Sequence, residues 1–253
     1  RKERDELRAE YEALGSDGFA AEWIDVPGGP LAGRYEAAIL HPRDAALEPA
    51  RWVRRLAAHA AERGVDIREH DRVRSLESLD ADAVVVASDG YPSGLLSELD
   101  ELVQPTRGQV VVTEPLEERL YERPHYARHG FDYWQQLPDG RLVVGGRRDT
   151  ALDREFTAEE ATSPEIQTAL EAFVEELVGR RPGITHRWAG IFGVTPDSLP
   201  LVGPVAGRDG TWISRGYSGH GNVLGLACGD LVAKAILGRR EPELELFDPA
   251  RLL

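Results

Sequence analysis

The sequence predicts a mixed α/β fold, and three stretches carry that prediction. Residues 82–87 (DAVVVA) form a β-branched run suited to a strand buried on both faces, and it ends in the small-residue turn Ser88-Asp89-Gly90. Residues 131–137 and 141–145 flank Pro138-Asp139-Gly140, the pattern of an antiparallel hairpin. Residues 211–215 lead into GYSGHGNVLG and then the apolar run VLGLACGDLVAKAIL, so that a strand, a glycine loop and a helix follow in series. An antiparallel middle between two α/β pieces predicts two domains whose segments interleave.

The remaining elements follow from periodicity and punctuation. Residues 2–14 read as a charged helix with Leu7, Tyr11 and Leu14 at helical spacing. Residues 15–48, rich in Gly, Pro and Asp, read as loops with short strands. Residues 49–63 make a helix opened by Pro49 and stopped by Gly64, with Trp52, Val53, Leu56, Ala57 and Ala60 on one face. Short strands are expected at 65–69, 82–87 and 109–113. Ser163 is placed to cap a helix that Pro164 opens; Leu170, Phe173, Val174 and Leu177 share its face, and Pro182 and Gly183 close it. A strand at 188–194, the turn Pro196-Asp197, the strand at 211–215 and the glycine-loop helix complete the chain, with Gly238 set for the C-cap.

Composition narrows the partners. The 44 Asp and Glu against 30 Lys and Arg give a formal net charge of −14, which argues against nucleic acid and against an anionic membrane surface. The single cysteine, Cys228, excludes a disulfide framework and a cysteine metal cluster. No apolar run is long enough to span a bilayer and no signal peptide is evident, so a reduced cytoplasm is expected. The sequence has no methionine, and its first residues (RKERDELRAEYEALG) read as the middle of a helix. These two features predict a piece of a longer protein.

The glycine loop is the best candidate for chemistry. The first N–H groups of a helix lack partners, and the helix dipole favours negative charge beside them. Small residues at 216, 218, 219 and 221 let a flat ligand approach. The spacing is Gly219-x-Gly221-x-x-x-Gly225, however, and no G-x-G-x-x-G fingerprint occurs in the chain. Spacing alone leaves a tight packing turn and a ligand site equally open.

Read in order, ADAVVVASDG, PTRGQVVVTEPL, FDYWQQLPDGRLVVGGRRD, RWAGIFGVTPDSLPLVGPV and WISRGYSGHGNVLGLACGDLVAKAILG resemble one family. It is the superfamily of FAD-dependent D-amino acid oxidases, glycine oxidases and sarcosine oxidases, with γ-glutamylputrescine oxidoreductase-like members nearest in character. The resemblance runs from about residue 7 to the C-terminus. It implies the later part of a glutathione-reductase-like FAD-binding domain (38–105 and 188–253), without its first βαβ unit, interleaved with an antiparallel-sheet substrate domain (1–37 and 106–187). FAD would be held non-covalently.

The resemblance also implies site residues. Gly219, His220, Gly221, Asn222 and Val223 would face the flavin ring, with Gly193, Gly216 and Tyr217 beside them; the N–H groups at 219–223 would stabilise negative charge on the reduced ring. Val73 is similar to a residue whose backbone meets the adenine. Ala87, Ser88 and Gly90 are similar to the turn near the pyrophosphate, although they also suit an ordinary strand end. The turn at Thr195-Pro196-Asp197 would position its neighbours. Tyr133, Trp134, Arg147, Phe192 and His220 are the candidate substrate contacts, with core packing expected for one of Tyr133 and Trp134. His220 can equally be a solvated loop residue. No catalytic acid or base and no metal is expected.

Departures from the family refine the expectation. Amino acid oxidases place a carboxylate-clamping arginine shortly after the Trp-Ala-Gly stretch, where this chain has Ile191-Phe192-Gly193, so an amine substrate is favoured. The flavin-bonding cysteine of sarcosine oxidases is replaced by Gly190 and its neighbours, and their oxygen-activating lysine by Leu142-Val143-Val144. The implied reaction is hydride transfer from the carbon next to an amine to flavin N5, after which the imine hydrolyses; oxygen or another acceptor would take the electrons. The alternatives are a dehydrogenase of the same fold, and a non-catalytic ligand-binding chain or subunit of a flavoprotein complex.

Overall fold

The computed structural model describes residues 2–253. In chain order its elements begin with α1 (Lys2–Ser16), β1 (Glu22–Ile24), β2 (Ala38–Leu40), α2 (Pro49–Glu62), β3 (Val84–Val86) and α3 (Ser97–Asp100). The middle holds β4 (Gln104–Pro115), β5 (His125–Ala127), β6 (Asp132–Gln136), β7 (Arg141–Gly146), α4 (Leu152–Glu155), α5 (Pro164–Val178) and β8 (Ile184–Val194). The chain ends with β9 (Leu201–Pro204), β10 (Thr211–Arg215), α6 (Gly221–Ile236) and α7 (Leu244–Phe247).

Two compact units share these elements. One contains the chain up to Glu48, Gln109–Thr150 and Thr162–Trp188; the other contains Pro49–Gly108, Ala151–Ala161 and Ala189–Leu253. Set beside the expected segments, residues 38–48 and 188 group with the first unit, and 106–108 and 151–161 with the second.

The first unit is built on a five-stranded sheet of order β5-β6-β7-β4-β8. Pro138-Asp139-Gly140 turns β6 into β7, pairing Trp134 with Val144 and Tyr133 with Gly145. Alternation then gives the sheet two distinct faces. Val111, Leu142, Val144 and Trp134 lie on the buried face, covered by Ile166, Leu170, Phe173, Val174 and Leu177 of α5. Each such aliphatic or aromatic side chain contributes roughly 1.5–3 kcal/mol on burial, so this seam anchors the unit.

The second unit holds a three-stranded sheet of order β3-β10-β9. β10 runs parallel to β3 (Ile213 beside Val86) and antiparallel to β9. One core gathers Val86, Leu96, Leu99, Val103, Leu201 and Ile213. The other packs α6 through Cys228 and Val232 onto Val202 and Tyr217. A buried ion pair fastens 151–161 to this unit: Arg107 donates to both Glu155 oxygens at 3.0 and 2.7 Å. Tyr91 adds a hydrogen bond to Glu160.

Several expectations need correction. Residues 65–68 form no strand, residue 69 enters a turn, and Val73 lies in irregular chain, because no described segment supplies a ladder partner for them. β3 is a sheet edge rather than a strand buried on both faces, and Val85 is 40% exposed. Trp52, Val53 and Leu56 do share one face of α2, yet that face is uncovered. Ser163 occupies the N-cap position of α5, but its hydroxyl does not bond the helix end; it accepts from Gln109 Nε2 at 2.8 Å. The helix ends at Gly179, whose φ of 77° allows the left-handed cap, before Pro182 is reached.

Arg107 and Glu155 should be far more costly to separate than to replace together. Glu155→Ala leaves a buried guanidinium without its carboxylate and is expected to lower unfolding stability by about 3–5 kcal/mol in urea titrations. The double substitution Arg107→Met with Glu155→Leu should recover most of that loss.

Candidate functional site

Three loops of the second unit meet where β3, β8 and β10 end, and glycine is what lets them meet. A Cβ on Gly90 would lie 2.4 Å from the carbonyl carbon of Phe192 and 2.6 Å from Gly193 N. A Cβ on Gly193 would lie 2.5 Å from Val103 Cγ1 and 3.1 Å from Gly216 Cα. Gly216, with φ at 77°, has Thr195 Cγ2 2.8 Å from the same position. Backbone therefore packs on backbone, leaving no room for a methyl group.

Asp89 ties these loops together. Its Oδ2 accepts from Gly193 N at 3.2 Å, and its Oδ1 accepts from Gly216 N at 3.0 Å and Tyr217 N at 3.3 Å. Its own carbonyl accepts from Arg215 Nε at 2.8 Å. Arg215 is fully buried; it pairs with Asp100 and donates to Tyr91 O at 3.3 Å. Asp89 holds φ at 42° and Ser218 at 51°, a conformation that costs about 1 kcal/mol or more at a non-glycine residue and persists only where neighbours enforce it. Ser218 is enforced in this way: its N–H donates to Gly193 O at 2.7 Å, and its hydroxyl accepts from Thr195 N at 3.3 Å.

The turn after β8 is pinned from the C-terminus. Arg251 donates to Asp197 at 2.8 and 3.1 Å and to Leu199 O at 2.6 Å. Those hydrogen bonds hold the Asp197 carboxyl down at about 2. The pin is thus in place above the ordinary value of 3.8 and is lost only as pH falls toward 2.

Beyond this junction the glycine loop opens. Gly219 has φ at 93°, and nothing lies within 4 Å of where its Cβ would be. His220, Gly221, Asn222 and Val223 are exposed at the start of α6. Among the described residues the N–H groups of Gly219, Gly221 and Asn222 have no partner. The N–H groups of His220 and Val223 are taken up locally, by Tyr217 O at 2.9 Å and His220 O at 3.1 Å. Ser88, next to the junction, has a buried hydroxyl with no hydrogen-bond partner. Ala87 and Tyr217 line a cleft of about 450 Å³ with Val85, Ser214, Gly225 and Gly229. Open space, three free amides and an orphaned hydroxyl are what a polar, flat group would find here. No group of acidic, histidine or cysteine side chains suited to a metal occurs among the described residues.

Ala87, Ser88, Gly90, Phe192, Gly193, Gly216 and Tyr217 are therefore brought together at the junction, and Gly219 to Val223 extend from it. Val73 has no hydrogen bond to these loops. Tyr133, Trp134 and Arg147 lie in the first unit, on different faces of its sheet. Tyr133 lies over Gly145, where a Cβ would come within 2.2 Å of its ring. Trp134 is 3% exposed beneath α5. Arg147 is engaged on that side: its Nε is 3.1 Å from buried Asp132, its Nη2 is 3.5 Å from Glu176, and its guanidinium lies 4.1 Å from the Phe173 ring centre. Burial raises the Asp132 pKa against the pull of Arg147 and Arg128. Nothing local in the chain singles out Asp89 or Arg215 beyond their turn and strand-end positions.

The family model for FAD dependent oxidoreductases, DAO, matches residues 1–235. The chain belongs to the DAO family. Glycine oxidase from Pseudomonas putida is 31% identical over 193 residues, which cover 73% of this chain and 49% of that protein. The probable oxidoreductase OrdL of Rhizobium meliloti is 27% identical, covering 81% of this chain and 50% of its own length. The chain spans about half the length of the curated relatives it matches. Among solved structures, L-proline dehydrogenase from P. horikoshii superposes with a TM-score of 0.82 at 20% identity, covering 99% of this chain and 74% of that one. Glycine oxidase from Bacillus cereus gives 0.76 at 18% identity, covering 97% and 72%. The fold is that of DAO-family flavoenzymes. No helix among the described residues is long and apolar enough to cross a membrane.

The junction should tolerate no substitution that fills it or unbalances its donors. Gly90→Ala is expected to destabilise the protein by about 1–3 kcal/mol through overpacking. Asp89→Asn turns an amide N–H toward a backbone N–H and should cost a similar amount, about 1–3 kcal/mol. A urea midpoint unchanged from wild type in Asp89→Asn would show that the carboxylate does not hold the loops.

Proposed function

We propose that this chain forms part of an FAD-dependent oxidoreductase that oxidises the C–N bond of an amine or amino acid. The observation that carries the reading is the set of free amides at Gly219, Gly221 and Asn222, facing open space at the start of α6. Bound FAD would supply the two-electron acceptor for oxidation of the carbon next to nitrogen. The chain's own residues hold and orient. The amides at 219, 221 and 222 place donors and the helix dipole against a developing negative charge. Ser88 offers its unpaired hydroxyl to the cofactor beside Ala87, Gly90 and Gly193, with Gly216 and Tyr217 setting the loop. The exposed His220 and Val223 border the same space.

Amines fit better than plain α-amino acids. A carboxylate needs a free cation, and Ile191-Phe192-Gly193 supplies none. Arg147, the candidate on β7's far end, is committed to Asp132 and Glu176. Tyr133, half-buried on the sheet face opposite α5, is the substrate contact of choice, with Trp134 supporting it from the core. The electron acceptor belongs to the same proposal: relatives include oxidases by name and a D-amino acid dehydrogenase.

The test is FAD titration followed by visible absorption and tryptophan fluorescence. Asn222→Pro removes one donor at a first-turn position where helices accept proline. It should weaken FAD binding roughly tenfold, the worth of one hydrogen bond to a polarised oxygen, with helicity unchanged by circular dichroism. If FAD does not bind the folded protein, the oxidoreductase reading fails. Where FAD binds, an amine and amino acid screen in air and with artificial acceptors separates oxidase from dehydrogenase.

A further inference from the structure

The edge strand of the first unit is only three residues long, and an aromatic stack holds its first residue. His125 of β5 pairs across the ladder with Trp134 of β6. Their rings stack at 4.8 Å with 2° between planes. Tyr121 stands edge-on to both, at 5.2 and 5.8 Å. Phe173 of α5 closes the other edge of Trp134 at 5.6 Å, and Tyr35 stacks on it at 6.1 Å. The next residue of β5, Tyr126, lies opposite Tyr133, so the stack on one face of this short strand fixes a tyrosine pair on the other.

The stack is built for a neutral imidazole. The backbone of Arg123 favours the charged ring, but burial outweighs it, and Nδ1 is buried with no partner. A cavity of about 150 Å³ adjoins it, lined by Tyr121, Glu122, Arg123 and Leu120 among others. The groups facing the ring from every side are these. Its own segment brings the Arg123 guanidinium, which opposes a second positive charge, and Glu122 on the cavity wall. Tyr121 has its hydroxyl turned away to Leu177 O at 2.9 Å. Behind Trp134 stand Tyr35, with Arg34 close by, and the apolar Phe173 of α5. No ion pair with a carboxylate is found for His125 among the described residues.

We propose that the His125–Trp134 stack is an acid-releasable clasp, in which protonation of His125 frees β5 from β6 and loosens the Tyr126–Tyr133 pair. A proton on Nδ1 would place a cation where no acceptor reaches it, beside Arg123. Burial accordingly holds the His125 pKa below its ordinary 6.5. The sign follows from linkage. Above 6.5 the ring is neutral whether β5 is docked or free, and docking is complete. As pH falls below 6.5 the free strand binds the proton first, and the clasp weakens until the docked ring also titrates. The proposal rests on the first unit alone and is independent of the cofactor reading.

Hydrogen exchange read by mass spectrometry, at pH 7.5 and 5.5 and corrected for intrinsic rates, tests it. Peptides covering β5 should lose protection on acidification, by up to about tenfold, the ceiling that the free strand's ordinary 6.5 sets between pH 7.5 and 5.5, while α5 keeps its own. His125→Phe keeps a stacking ring without a titrating group, so its β5 protection should be the same at both values. Equal wild-type protection at the two pH values, or the same acid loss in His125→Phe, would overturn the proposal. Proton NMR of the wild-type chain gives an answer that needs no variant. A His125 Cε1–H midpoint below 6.5 supports the clasp, and a midpoint at or above 6.5 rules it out.

Discussion

The second unit depends on one carboxylate. Asp89 stands at the end of β3 and accepts N–H groups from the ends of β8 and β10, so three strand ends are fixed in space by two oxygen atoms. Backbone amides brought this close would repel or remain unpaired without an acceptor among them, and a buried unpaired amide costs about 1–3 kcal/mol. Glycine at 90, 193 and 216 removes the side chains that would keep the strands apart. Arg215 completes the arrangement from beneath: fully buried, it binds the Asp89 carbonyl and pairs with Asp100. Each part needs the others. The carboxylate requires the convergence of the loops, and the glycines allow it.

This constraint explains why the free donors lie just beyond it. At Gly216 and Tyr217 the backbone is occupied by Asp89, and at Ser218 by Gly193 O. The first unclaimed amide is at Gly219, where the chain leaves the junction and space opens. The loop is thus rigid where it is anchored and available where it is not, which is the condition for preorganised donors. Beside the junction, the buried hydroxyl of Ser88 also has no partner in the fold.

The first unit follows a different logic, that of a two-faced sheet. α5 covers one face and encloses Trp134 there, while the other face carries Tyr133 and Tyr126 with less cover. On the helix side Asp132 is flanked by Arg128 and Arg147. Arg147 therefore works as a structural partner of Asp132 and Glu176.

The sequence by itself determined the elements whose signals are local. The periodic apolar faces of α1, α2 and α5, the Pro-Asp-Gly turn between β6 and β7, and the strand–glycine loop–helix series all lie within short windows, and all formed. The motif order also identified the DAO family. Tertiary structure decided whatever depends on a partner distant in the chain. β5, at three residues, and β9, with Gly203 and Pro204, have no pattern of their own and form because a neighbour pairs them. Residues 65–69 have a strand's composition but no described neighbour to pair with. The role of Asp89 was equally invisible, since its donors lie 104, 127 and 128 residues along the chain. So was the division of labour between Tyr133 and Trp134, adjacent residues that alternation sends to opposite faces and that α5 then treats differently. Local periodicity is written in the chain; the convergence of hydrogen-bond donors from separate strands exists only once the strands are assembled.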